Sequence, residues 1–245
     1  QSSKHRQHIE VDFFGGEPLL NFDVCKALVA YGKEQGRLHN KIFKFTLTTN
    51  GVLLTDEVQQ FLNDEGISAV LSLDGRKETN DRMRRFPNGS GSYDLIVDKF
   101  QHFAQSRQGQ EYYLRGTYTH YNLDFANDVA HMVDDLGFRE LSMEPVVAQA
   151  QYDYALKEED LPVLCAQYDL LTRHYLQHDE AGDGYNFFHF NVDLGHGPCL
   201  PKRLSGCGSG HDYLAVSPEG DLYPCHQFVG EPQFKVGTVY EGITV

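Results

Sequence analysis

The stretch "VDFFGGEPLLN", Val11 to Asn21, is a strand-like apolar run that passes directly into two glycines, a glutamate and a proline. Glycines after a strand permit positive φ and close backbone approach. The turn Gly15-Gly16-Glu17-Pro18 can therefore aim main-chain N–H and C=O groups at a ligand, with the Glu17 carboxylate beside them. An ammonium group suits that combination. The same four residues also fit a tight strand-to-helix turn with proline at the helix start.

Working outward, five segments read as buried strands: "HIEVDFF", "KFTLTTN", "SAVLSLD", "YYLRGTYT" and "RELSMEPVV". Each is short, rich in β-branched or aromatic residues and closed by turn chemistry. Helical patterns lie between them. Thr55 caps one, with Asp56 and Glu57 in its first turn, Val58, Phe61 and Leu62 on its inner face and Gly66 past its end. Phe125, Val129, Met132, Val133 and Leu136 form a second stripe stopped by Gly137, and Leu161, Leu164, Tyr168, Leu171 and Tyr175 a third. Strands alternating with helices imply an α/β fold with a parallel sheet and right-handed crossovers, either an open doubly wound sheet or a barrel. In both, chemistry gathers at the C-terminal strand ends. Those ends are Gly15–Pro18, Thr49–Gly51, Ser72–Gly75, Thr117–Thr119 and Met143–Pro145.

After the third stripe the texture changes. "HDEAGDGYN" reads as a loop or linker, and from Asn186 a smaller second unit is expected. Its centre, "DYLAVSPEGDLYPC", is two apolar strands joined at Pro218-Glu219-Gly220-Asp221, a hairpin turn.

Composition limits the function classes. The 245 residues allow one large α/β domain, or one domain plus part of another. A formal net charge of -14 opposes nonspecific binding to a phosphate backbone, so no nucleic-acid partner is expected. There is no apolar run of transmembrane length, and the start "QSSKHRQH" does not read as a signal peptide. The expectation is a cytoplasmic protein without a membrane partner. Five cysteines stand at positions 25, 165, 199, 207 and 225. The three late ones point to ligation or redox chemistry rather than a disulfide framework. Cys25, with Leu28 and Val29, and Cys165, beside Leu161, Leu164 and Tyr168, read as small buried hydrophobes.

The ordered set "FFGGEPLLN", "TLTTNGVLL", "LSLDG", "NDRMRRFPNGSGSYD" and "LRGTYT" resembles the radical S-adenosylmethionine (SAM) enzymes, in particular the peptide-modifying branch with a C-terminal SPASM or twitch domain. The resemblance runs from about Ile9 to the chain end. It implies a partial (β/α)6 TIM-like barrel over residues 1–180, with the first strand missing, followed by the start of a SPASM/twitch domain over 186–245. It also implies SAM and [4Fe-4S] clusters as cofactors. Gly15, Gly16 and Glu17 would take the methionine amino group, Ser72 and Asp74 the ribose side and Arg84 the carboxylate, with Thr49 and Asn50 lining the floor. An arginine fork is the right partner for a carboxylate. Arg84 also admits a plainer reading as a solvated charge beside Arg82 and Arg85.

Cys207, Gly220 and Cys225 follow the opening half of the SPASM pattern, in which such cysteines ligate an auxiliary iron-sulfur cluster, and Cys199 is a further candidate ligand or a substrate-facing thiol. Buried thiols or a disulfide remain the alternative. The wording "GPCLPKRLSGCGSGHDYLAVSPEGDLYPCHQFVG" is most similar to the maturases of SCIFF peptides. That similarity implies thioether crosslinking of a cysteine-rich precursor peptide through a 5'-deoxyadenosyl radical, with an electron donor such as flavodoxin or ferredoxin. Sulfatase-maturating or quinone-cofactor-maturating chemistry is the alternative within the class, and a non-catalytic peptide or metal-binding module the alternative outside it. The family's CxxxCxxC loop occurs nowhere in the chain, which starts fourteen residues before Gly15. The expectation is a fragment truncated at both ends and inactive alone. No residue is assigned as a catalytic acid or base.

Overall fold

The computed structural model describes residues 5–108, 111–192, 195 and 207–244. The chain divides into two compact units, Gln1–Asn191 and Val192–Val245. The first is built on six parallel strands: β1 (His8–Phe13), β2 (Ile42–Thr49), β3 (Ser68–Ser72), β4 (Tyr112–Tyr118), β5 (Glu140–Pro145) and β6 (Asn186–Phe187). They lie in the sheet in chain order. A doubly wound sheet needs a point where strand order reverses, and none occurs among these strands. With right-handed crossovers, unbroken order sends every helix to the same face, as in a barrel. The result is a partial, radical-SAM-like parallel core.

Strand side chains alternate between faces. On the helix-covered face Phe45, Leu47, Leu71, Leu114 and Leu141 join Val29, Leu62, Phe100 and Val129 in one core, each 5% exposed or less. Burying such a side chain contributes about 1.5–3 kcal/mol. The other face carries Thr46, Thr48, Ser72, Arg115, Thr117 and Glu144, all only partly buried. In the register Ser72 aligns with Arg115 and Ser142, and Thr117 with Glu144, so polar residues form rows across the sheet.

The helices are α1 (Phe22–His39), α2 (Asp56–Glu65), α3 (Lys77–Met83), α4 (Tyr93–Ser106), α5 (Phe125–Ala130) and α6 (Leu161–Ala181). The Thr55 hydroxyl accepts from Val58 N at 3.4 Å and Gly66 closes α2 at φ 64°, as the capping residues predict. Past its last residue α5 widens into a π turn, His131–Asp135. Tyr118 stacks on Phe125 at 4.5 Å and Phe125 meets Tyr168 edge-on at 5.0 Å, tying β4, α5 and α6 together.

Five expectations change. Helix α6 continues through Ala181 to a left-handed Gly182, so the first part of "HDEAGDGYN" is helical. Asn186–Phe187 pairs with β5, which places these residues in the first unit rather than at the start of the second. Cys165 is exposed, as is Leu161 at 54%. A helix advances about 100° per residue, which turns Cys165 away from buried Leu164. Leu28 is likewise exposed, although its neighbours Cys25 and Val29 are buried.

The second unit holds a four-stranded antiparallel sheet of β7 (Ala215–Val216), β8 (Asp221–Tyr223), β9 (Gly237–Thr238) and β10 (Gly242–Ile243), in the order β10-β9-β8-β7. An antiparallel sheet of this kind is consistent with the SPASM-like unit that the resemblance implies. The expected hairpin is present: Gly220 N donates to Ser217 O and Ser217 N to Asp221 O, both at 2.9 Å. No helix among the described residues is long and apolar enough to cross a membrane.

Candidate functional site

The turn after β1 is held by its own glutamate. Gly15 has φ +73°, a conformation that favours glycine. A Cβ added at Gly15 or Gly16 would meet nothing within 4 Å, so the backbone here is open to a ligand. Glu17 reaches across to the end of β2. Its Oε1 accepts from Leu19 N at 3.1 Å and from the Thr49 hydroxyl at 2.9 Å, and its Oε2 accepts from Asn50 N at 2.8 Å. Thr49, 1% exposed, accepts in turn from Gly51 N, while Asn50 Oδ1 accepts from Val52 N. A carboxylate offers about four lone-pair sites, so roughly one remains for a cation. Glu17 is thus a brace between two strand ends first and a ligand group second. Beneath the turn, buried Cys25 donates to Pro18 O at 3.7 Å, and burial pushes its thiol pKa up. An inert, protonated thiol follows.

The second cluster lies at the ends of β3 and β4. Asp74, 4% exposed, is gripped by Arg84: Nε donates to Oδ2 and Nη2 to Oδ1, each at 2.8 Å. Thr117 N donates to the same Oδ1 at 3.0 Å. The guanidinium has five N–H groups and this fork uses two, leaving a second edge for another carboxylate. Arg84 is therefore not a solvated surface charge. Its neighbours are engaged otherwise: Arg82 stacks on Tyr121 at 3.8 Å, and Arg85 Nε donates to Asp81 O. Thr49 aligns with Leu71 in the register, so the Glu17 cluster ends beside the strand carrying Ser72 and Asp74. A cleft of about 270 Å³ opens next to Asp74, lined by Arg76, Thr117, Thr119, Asn122 and Asp124 among others.

Two polar features near these strand ends escaped the sequence reading. Arg115 pairs with Glu144 across adjacent strands, and fully buried Asp128 accepts from Arg76 N, Arg76 Nε and Thr79 Oγ1 behind the Asp74 loop. The period-two placing of Arg115 and Thr117 in "LRGTYT" carried a signal for the first; the second depends on a residue from a distant helix.

In the second unit Cys207 and Cys225 both lie around the Tyr213 hydroxyl, which donates to Cys225 Sγ at 3.3 Å. That contact, with some burial, pushes the Tyr213 phenol up to about 12. His226 Nδ1 is 3.7 Å from Cys225 Sγ. Cys199 lies outside the described residues.

Residues 1–97 match the family described as a 4Fe-4S single cluster domain. Those residues contain one cysteine, the buried Cys25, and the chain has no CxxxCxxC, so its own thiols do not fit a radical-SAM cluster loop. The chain is similar to the cysteine-type anaerobic sulfatase-maturating enzyme of Clostridium novyi, 22% identical over 96% of this chain and 63% of that protein. Among solved structures it is similar to native anSMEcpe with bound AdoMet and Kp18Cys peptide (TM-score 0.74, 20% identity, 97% of this chain and 66% of that one). It is also similar to Streptococcus suis SuiB bound to S-adenosylmethionine (TM-score 0.65, 19% identity, 96% and 53%). The chain thus spans about two thirds or less of the length of these relatives. These likenesses are likenesses of fold.

Proposed function

We infer that the chain is part of a radical SAM enzyme that modifies a peptide or protein segment, and that its strand ends hold the amino-acid portion of SAM. The observation that carries this reading is the Glu17 brace, which fixes the open Gly15-Gly16 backbone against Thr49 and Asn50. In this reading the free lone pair on Glu17 and the turn carbonyls take the ammonium, and the unused edge of Arg84 takes the carboxylate. Ser72 and Asp74 stand on the ribose side. When bound and reductively cleaved, SAM supplies a carbon-centred radical able to take hydrogen from an unactivated C–H bond. Cys207 and Cys225, joined by Cys199, are assigned to an auxiliary [4Fe-4S] cluster, since thiolates are its usual ligands. A reduced flavodoxin or ferredoxin would be the electron donor.

For the substrate, a cysteine-containing segment of a sulfatase is the reading supported best. The sulfatase-maturating relatives match over 96% of this chain, and the solved relative holds a cysteine peptide. Thioether formation in a cysteine-rich SCIFF peptide is the second reading, favoured by the wording around Cys207 and Cys225. The test is anaerobic turnover by the protein with its flanking coding sequence, after iron and sulfide reconstitution, with each peptide followed by mass spectrometry. Modification of the sulfatase segment alone supports the first reading. Loss of two hydrogens per crosslink from the cysteine-rich peptide alone supports the second, and release of no 5'-deoxyadenosine with either contradicts both.

A further inference from the structure

We propose that Asp134, His174 and His178 form a binding site for a divalent transition ion of the zinc class, where the π turn after α5 packs on α6. The ligand atoms already converge. His178 Nε2 lies 2.9 Å from Asp134 Oδ1, and His174 Nε2 lies 3.1 Å from Asp134 Oδ2. One nitrogen from each ring and one carboxylate oxygen all fall within 4.8 Å of one another. Ligands at zinc's bond lengths of about 2.0–2.1 Å in a tetrahedron are roughly 3.3 Å apart, so each nitrogen already stands near that distance from a carboxylate oxygen and the remaining gaps, within 4.8 Å, close by side-chain adjustment.

The two histidines are four residues apart on α6 and therefore share one face. Asp134 is delivered by the π turn His131–Asp135, an irregularity frequent at functional sites. The outer nitrogens have partners as well: His178 Nδ1 meets Asp183 Oδ2 at 2.9 Å, and His174 Nδ1 meets the Tyr185 hydroxyl at 3.0 Å. Metal-bound histidines characteristically donate their other N–H to such groups.

His178 makes the case for a cation. A neutral imidazole has one N–H and one lone pair, yet both of its nitrogens face carboxylates, which only accept. Either the ring carries two protons, or the Nε2 lone pair and Asp134 share a positive ion. Two imidazoles and a carboxylate, with room for a water, are a donor set for zinc rather than for magnesium or calcium. The side chains of the histidines are 20% and 17% exposed and that of Asp134 46%, so solvent reaches the site.

The test is calorimetric titration of ZnCl2 into the full chain. One equivalent should bind, weaken by at least about 100-fold in His178→Ala, and weaken by about 10–100-fold in Asp183→Asn, which leaves all three ligands in place. The Cys207→Ser/Cys225→Ser variant should bind this equivalent unchanged. Because His178→Ala also removes packing, ring-nitrogen NMR of the unmodified chain serves as a second readout, with zinc shifting Nε2 of His174 and His178. Zinc uptake indifferent to His178, or abolished by the cysteine substitutions, would overturn the site. So would two doubly protonated rings that zinc leaves unshifted at neutral pH.

Discussion

Arg84 holds Asp74 through a two-pronged fork, both contacts at 2.8 Å, and Thr117 N completes the grip on the carboxylate. Removing the charge of Asp74 leaves Arg84 without its partner in a largely buried setting. Asp74→Asn is expected to lower unfolding free energy by about 1–3 kcal/mol in urea titrations. Arg84→Lys keeps the charge but not the planar fork. It should weaken SAM by about tenfold, the equivalent of one charge-assisted hydrogen bond, with a smaller effect on stability.

Gly75 lies directly after Asp74 at φ +122°, and a Cβ there would sit 2.2 Å from Asp128 Cβ. Gly75→Ala combines backbone strain with a clash against a side chain already fixed by Arg76 and Thr79. A loss of more than about 1 kcal/mol is expected, read from the denaturation midpoint. Gly66→Ala is a useful contrast: it carries strain at φ 64° but meets nothing within 4 Å, so it should cost less.

These two sites show what was readable in the chain. Strands β1 to β5 were legible because apolar residues run into glycine and polar turn chemistry. Strand β6, two residues long, has no periodicity to detect. The strand-end residues were legible as a set, but their division of labour was not. Glu17 reads as a ligand in sequence, and its added part as a brace is not legible there because Thr49 and Asn50 arrive beside it only after β2 pairs with β1. Likewise "HYLQHD" gives two histidines at helical spacing only once α6 is known to continue to Ala181, and Asp134 comes from another helix.

Asp160 closes the short turn Glu158–Asp160 just before α6, accepting from Lys157 N at 2.9 Å and facing His120 Nδ1 at 2.8 Å. The His120 contact, aided by Lys157, holds its pKa below the usual carboxylate value. A carboxylate depressed in the folded state contributes stability above its unfolded pKa of about 3.9, and that contribution is lost as pH falls through the folded value. Asp160→Asn should therefore be less stable than the parent at neutral pH. The two melting temperatures should converge as pH drops below about 4.

Tyr213 reports on the two thiols around it. With Cys225 as its acceptor the phenol titrates up at about 12. Cys225→Ser removes the sulfur contact and should bring the Tyr213 ring-carbon NMR titration back toward the ordinary value near 10. The same substitution should lower the iron retained after anaerobic reconstitution.

The most direct test of the strand-end account is backbone amide NMR of the chain during titration with SAM. The account predicts saturable shifts centred on Gly15, Gly16, Asn50 and Thr117, strongly weakened in Glu17→Gln and in Arg84→Lys. Shifts that centre elsewhere, or that persist unchanged in both variants, would contradict it.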